Sequence, residues 1–144
     1  MDNQQIYFKA FMEANTGNVS SMNLWKMLIF DGLLDYPIEI NTGLDQLKVW
    51  SQSDNKFVKG GALSLLGAMF FEGKYGLPKD YEKAFNYERL AEEYANEGID
   101  YIIGWCYLNG EGVEKDIEKA KYYIFKSAAD GIEPAKKIKR KMGW

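Results

Sequence analysis

Apolar positions along this chain fall in dense blocks that end the same way three times. Leu24 to Gly32, Leu65 to Gly73 and Ile102 to Gly110 each hold a solid apolar centre and close with Asp-Gly, Glu-Gly or Asn-Gly. A packed helix running into a glycine stop reads this way, because glycine reaches the left-handed conformation that ends a helix at little cost. Elsewhere the spacing is three or four: Ala84, Tyr87, Ala91 and Tyr94, then Ala120, Tyr123, Ser127 and, one residue round, Ala128. These are single helix faces, on which small and aromatic residues alternate so that neighbouring helices approach closely. No segment alternates as a strand would.

The blocks are copies of one unit. Gly67 and Gly73 precede Gly104 and Gly110 by 37 residues, whereas Asp80, Lys83, Ala84 and Tyr87 precede Asp116, Lys119, Ala120 and Tyr123 by 36. The difference falls in the turn, Gly73 to Leu77 in one copy and Gly110 to Val113 in the other, where two glycines reverse the chain between antiparallel helices. Asp80 and Asp116 open the second helices as N-caps, their carboxylates accepting from first-turn amides. Gly98-Ile99-Asp100 and Gly131-Ile132-Glu133 end those helices, and Pro134 suits the first turn of a last helix that buries Ala135, Ile138 and Met142.

A looser copy precedes these two. After Gly32 comes a longer connection through Leu34, Pro37 and Gly43, then a helix around Leu44, Leu47 and Trp50. Ahead of it Ile6, Phe8, Ala10, Phe11 and Ala14, closed by Asn15-Thr16-Gly17, make a first helix. The pattern predicts an all-α solenoid of about three antiparallel hairpins in one domain. Its parts are an N-terminal cap helix (1–19), a degenerate repeat (20–59), repeats at 60–97 and 98–130, and a C-terminal cap helix (131–144).

Composition supports a folded chain: of 144 residues, 47% are hydrophobic and 15% aromatic, enough to offset the entropy of ordering the backbone. The lone Cys106 sits in an apolar helix centre, which reads as a reduced, buried thiol and a cytoplasmic home. The start lacks the basic region of a secretory signal, and Leu24 to Leu34 is too short and too interrupted by Lys26 and Asp31 to span a bilayer. Residues 1–135 hold 13 of the 18 basic residues against all 21 acidic ones, a net −8, and the five cations Lys136, Lys137, Lys139, Arg140 and Lys141 follow. So acidic a body repels phosphate backbones and favours basic partners, and the tail cations read as a solvated helix face, so neither nucleic acid nor membrane is a partner.

Reactive chemistry is sparse. The chain has no His, which rules out the commonest general base, the Ser-His-Asp arrangement and His-based metal sites. The carboxylate pairs Glu92-Glu93 and Asp116 with Glu118 read as solvent-facing or helix-start acids. Gly110-Glu111-Gly112 has no preceding strand and no following Gly-Lys-Ser or Gly-Lys-Thr, so it is a turn, not a phosphate cradle. No cofactor and no metal are implied. Met27, Phe30, Ala68, Phe71, Tyr101, Trp105 and Leu108 point away from the partner helix within each hairpin. They are either the lining of a binding surface or the packing of a helix sandwiched on both sides.

The stretch Ala62 to Gly73 with Asp80, Lys83-Ala84 and Tyr87 resembles the Sel1-like repeat, a cousin of the tetratricopeptide repeat. The second copy, with Gly104, Tyr107, Gly110 to Val113, Asp116, Lys119-Ala120, Tyr123 and Ser127 to Gly131, is closer still. The resemblance implies a right-handed superhelix whose first helices line a concave surface that grips partner proteins, and it implies no chemistry. Secreted members often carry a Cys pair in each repeat, which this chain lacks. Short bacterial members include antagonists encoded beside secreted toxins, so the expected function is an immunity-type protein that neutralises a basic toxin or effector. The alternatives are an adaptor in a signalling or secretion complex and an enzyme working with carboxylates alone.

Overall fold

The computed structural model describes residues 1–33, 39–94 and 100–144. Among the described residues eight helices follow one another: α1 (Asn3–Asn15), α2 (Val19–Phe30), α3 (Ile40–Trp50), α4 (Lys56–Glu72), α5 (Tyr81–Glu93), α6 (Tyr101–Asn109), α7 (Ile117–Ala129) and α8 (Glu133–Met142). No strand occurs among the described residues. The helix starts are written locally. Asp80 accepts from the Lys83 amide at 3.0 Å and Asp116 from the Lys119 amide at 3.1 Å, each cap contributing about 1 kcal/mol. The stops are local too: Gly32, Gly73 and Gly110, the last residues of the three apolar blocks, take φ of +67°, +65° and +65°, where a Cβ would be strained. Pro134 lies in the first turn of α8, as its position predicts. The expected stop at Gly98-Ile99, like the connection through Leu34 and Pro37, lies outside the described residues.

α4 with α5 and α6 with α7 form the two closest hairpins of the repeat region. The first helices need a residue without a side chain at the crossing. A Cβ on Gly104 would come within 2.8 Å of Ile124 Cδ1, and one on Gly67 within 2.4 Å of Glu88 Oε1. Even-numbered helices lie along one side, with α2 touching α4 and α6 sharing a groove with α8. Across the odd-numbered side, Trp50 Nε1 of α3 donates to Asn15 Oδ1 of α1 at 2.7 Å, and Arg89 of α5 donates to Tyr123 of α7 at 2.8 Å.

Two departures from the expected pattern lie in the N-terminal third. α2 packs more extensively on α1 than on α3. Gly43 belongs to α3, not to the connection: it sits within the first helical turns, where a Cβ would meet Phe30 Cζ at 2.7 Å and Ile29 Cγ2 at 2.8 Å. Glycine there reflects the close approach of two helices.

The interior divides into two apolar clusters with α4 shared between them. Met22, Trp25, Leu28, Leu47 and Trp50 build the first with Val58, Ala62, Leu66 and Met69 of α4. Phe85, Ile102, Ile103, Cys106 and Tyr107 build the second, against which Ala68, Phe70 and Phe71 of α4 pack. A helix serving two clusters must be apolar all round, which is why its sequence is a solid block with no polar stripe. Each large side chain enclosed contributes about 1.5–3 kcal/mol.

Candidate functional site

Three of the seven residues singled out from sequence meet in an aromatic seam. Phe71, at the end of α4, stands edge-on to Trp105 (ring centroids 5.0 Å) and to Tyr101 (6.1 Å), both on α6. Tyr81, the first residue of α5, closes the group at 4.8 Å from Trp105 and 5.6 Å from Phe71. All four are half-buried, so their edges reach the surface while their mutual packing, about 0.5–1.5 kcal/mol per pair, holds them in place. Trp105 and Leu108 then continue into a groove of about 280 Å³ against Ile138 and Met142 of α8, with Lys115 and Lys141 at its rim. Ala68, half-buried, packs beside the seam against the second cluster. Met142 remains 42% exposed; it lines this groove and is not the buried residue that periodicity predicts.

The N-terminal pair does not join them. Phe30 is only 7% exposed, so it offers no binding surface. Its ring is enclosed by Trp25 at 6.1 Å, by Tyr75 at 4.9 Å and by the close pass of Gly43. The turn after α4 causes this: Tyr75 holds φ +60° and its hydroxyl donates to Asp31, folding the phenol over the end of α2. Met27 is 43% exposed on α2, outside both clusters.

Two residues were not legible as candidates. Tyr81 has its counterpart 36 positions on in Ile117, which lines the α6–α8 groove; the position after each capping Asp thus faces this side. Glu88 is fully buried and accepts from Ser64 Oγ at 3.2 Å. The same offset pairs it with Ile124, so an acid stands where the next repeat has an aliphatic residue, and that mismatch is the signal in the sequence.

Electrostatics around the seam are uneven. Burial raises the Tyr101 phenol above its ordinary range, helped by the carboxylates of Asp100 and Glu72. Asp100 is itself pushed up to about 6 by burial, against the opposing pull of the Ile102 amide that it caps. Glu72 beside the seam is paired with Lys74 at 2.9 Å and Lys79 Nζ lies 5.7 Å from the Tyr81 ring centre, so both signs of charge border the seam. Cys106 is buried and its thiol is pushed up to about 12, first by burial and then by Asp100 and Glu111; at neutral pH it is neither thiolate nor nucleophile. Glu92 accepts from the Tyr123 hydroxyl at 3.1 Å, and Asp116 is committed as a cap. Among the described residues no group of three or more acids and cysteines could hold a metal ion.

Comparison with known proteins gives one result. The Sel1 repeat family matches residues 61–93 and 101–132, the first spanning most of α4 and all of α5, the second α6 and α7. Neither the curated proteins nor the solved structures contain a significant match. Among the described residues no helix is long and apolar enough to cross a membrane. Sel1 repeats are in general non-enzymatic modules that mediate protein–protein interaction. α4–α5 and α6–α7 are thus two consecutive Sel1 repeats within an all-helical array.

Proposed function

We propose that this chain is a non-enzymatic binding module of the immunity type, which acts in the cytoplasm by covering a toxin or effector protein with the face that carries the aromatic seam. The observation behind this is the seam itself: Phe71, Tyr81, Tyr101 and Trp105, drawn from three helices, present half-exposed rings held by their own packing. Rigid aromatics of this kind supply most of the energy in protein interfaces. The net −8 of residues 1–135 favours a basic partner. In this reading α2 and α3 are the degenerate repeat, and α1 and α8 cap the array.

The test is to mix the protein with a panel of purified basic toxin domains and follow complex formation and inhibition together. A cognate toxin forms a stable complex and loses activity. Trp105→Ala weakens that complex by about 2 kcal/mol or more, roughly thirtyfold, as truncation of a central aromatic does. Neither complex nor inhibition across the panel counts against the proposal, and so does full binding by the Trp105→Ala protein.

A further inference from the structure

The far side of α8 carries a second cleft that the seam does not use. Its floor is Ala128 and Ala129 of α7 and its walls are Phe125 and Trp144, whose rings stand edge-on at 5.9 Å. Lys136, Lys139 and Arg140 of α8 complete the lining around about 420 Å³, a volume within the range of ligand-binding clefts, about 300–1,000 Å³. The cations are held in place by the aromatics: Lys139 Nζ lies 5.1 Å from the Phe125 ring centre, and Lys121 Nζ lies 5.4 Å from that of Trp144. Arg140 bonds Glu133 at 3.0 Å. Among the described residues, neither Lys121, Lys136 nor Lys139 has a carboxylate within ion-pair distance.

We infer that this α7–α8 cleft is a second docking site, which takes a short acidic peptide segment of a partner protein carrying one apolar side chain. The small floor between two aromatic walls receives the apolar side chain, and the lysines receive the flanking carboxylates. Charge geometry selects a short peptide over a polyanion. α8 spans 10 residues, about 15 Å at 1.5 Å per residue, and residues 1–135 carry −8. A nucleic acid or an anionic bilayer extends past α8 onto that acidic body within about one Debye length, roughly 8 Å at physiological salt, and is repelled there. A peptide that ends within the cleft is not. The site lies on the opposite side of α8 from the groove of Trp105 and Leu108, and it stands independently of the toxin-binding proposal.

The probe is a fluorescein-labelled peptide of glutamates around a single central leucine, followed by anisotropy. The native protein binds it, less tightly as salt is raised. The Lys136→Gln/Lys139→Gln double variant, which removes the two charges and keeps polar side chains at both positions, binds at least about tenfold more weakly, with its melting temperature little changed. Ala128→Leu, which fills the floor, weakens binding comparably, and Trp105→Ala leaves it unchanged. The inference is overturned if the native protein fails to bind the peptide, or if the all-glutamate or lysine counterpart binds equally well. It is likewise overturned if the variants bind as the native protein does, or if only duplex DNA or phosphatidylserine vesicles bind. Self-association of the native protein that the double variant abolishes overturns it too, because the occupant is then a second copy.

Discussion

Asp100 allows a sharp test of how the second repeat is held. Its side chain caps α6, accepting from the Ile102 amide at 2.7 Å, yet burial moves its pKa from 3.8 up to about 6. Between those values the folded protein keeps a proton that the unfolded chain has released, so stability is highest in acid and falls as pH rises through the native pKa. A rise of that size corresponds to about 3 kcal/mol, and the partial exposure of the residue reduces this to about 1–2 kcal/mol by solvent screening. Asp100→Asn keeps the capping oxygen, since Asn caps as well as Asp, and removes the charge. In urea denaturation the variant is expected to gain about 1–2 kcal/mol over wild type at neutral pH and nothing at pH about 4. Asp100→Ala, which loses the cap, is expected to be about 1 kcal/mol less stable than wild type in acid. A difference between Asp100→Asn and wild type that does not change with pH, or that grows in acid, would refute the reasoning.

Three further substitutions probe the packing. Glu88→Ile places in the first repeat the residue type that Ile124 supplies in the second; removing a fully buried carboxylate whose described partner is one hydroxyl should raise stability by about 1–3 kcal/mol, and a loss in chemical denaturation would show that the Ser64 bond outweighs the burial cost. Gly60→Ala should lose about 1–3 kcal/mol despite better helix propensity, because its Cβ would lie 2.4 Å from the Tyr94 carbonyl oxygen; an unchanged melting temperature would mean that α5 shifts freely. Trp25 Nε1 is buried with no acceptor among the described residues, while Trp50 Nε1 bonds Asn15. Each Trp→Phe change leaves a cavity costing about 1–2 kcal/mol, and Trp50→Phe also loses a hydrogen bond worth about 1 kcal/mol, so Trp50→Phe should be the more destabilising of the two, an ordering that paired melting curves can reverse.

The sequence by itself determined the helices, their ends and the repeat. Those features rest on interactions between residues a few positions apart: Asp80 and Asp116 reach amides three residues on, and Gly73 and Gly110 stop helices by their own backbone freedom. A 36- or 37-residue period copies such local rules intact, so the Sel1 unit was legible before any packing was known. Within the candidate site, the α6 positions Tyr101, Trp105 and Leu108 were legible for the same reason, since one helix face is a local property. The tertiary structure alone decided which apolar residues stay at the surface. An apolar block such as Leu24 to Gly32 or Leu65 to Gly73 has no polar stripe to mark an outward face, so the arrival of a neighbour decides exposure. Phe30 was enclosed because Tyr75, 45 positions later, folds over it and Gly43 lets α3 pass close. Phe71 kept an open edge because its neighbours are the rings of Tyr81, Tyr101 and Trp105. Contacts between residues far apart in sequence depend on shape and distance in three dimensions, which a pattern of hydrophobicity does not encode.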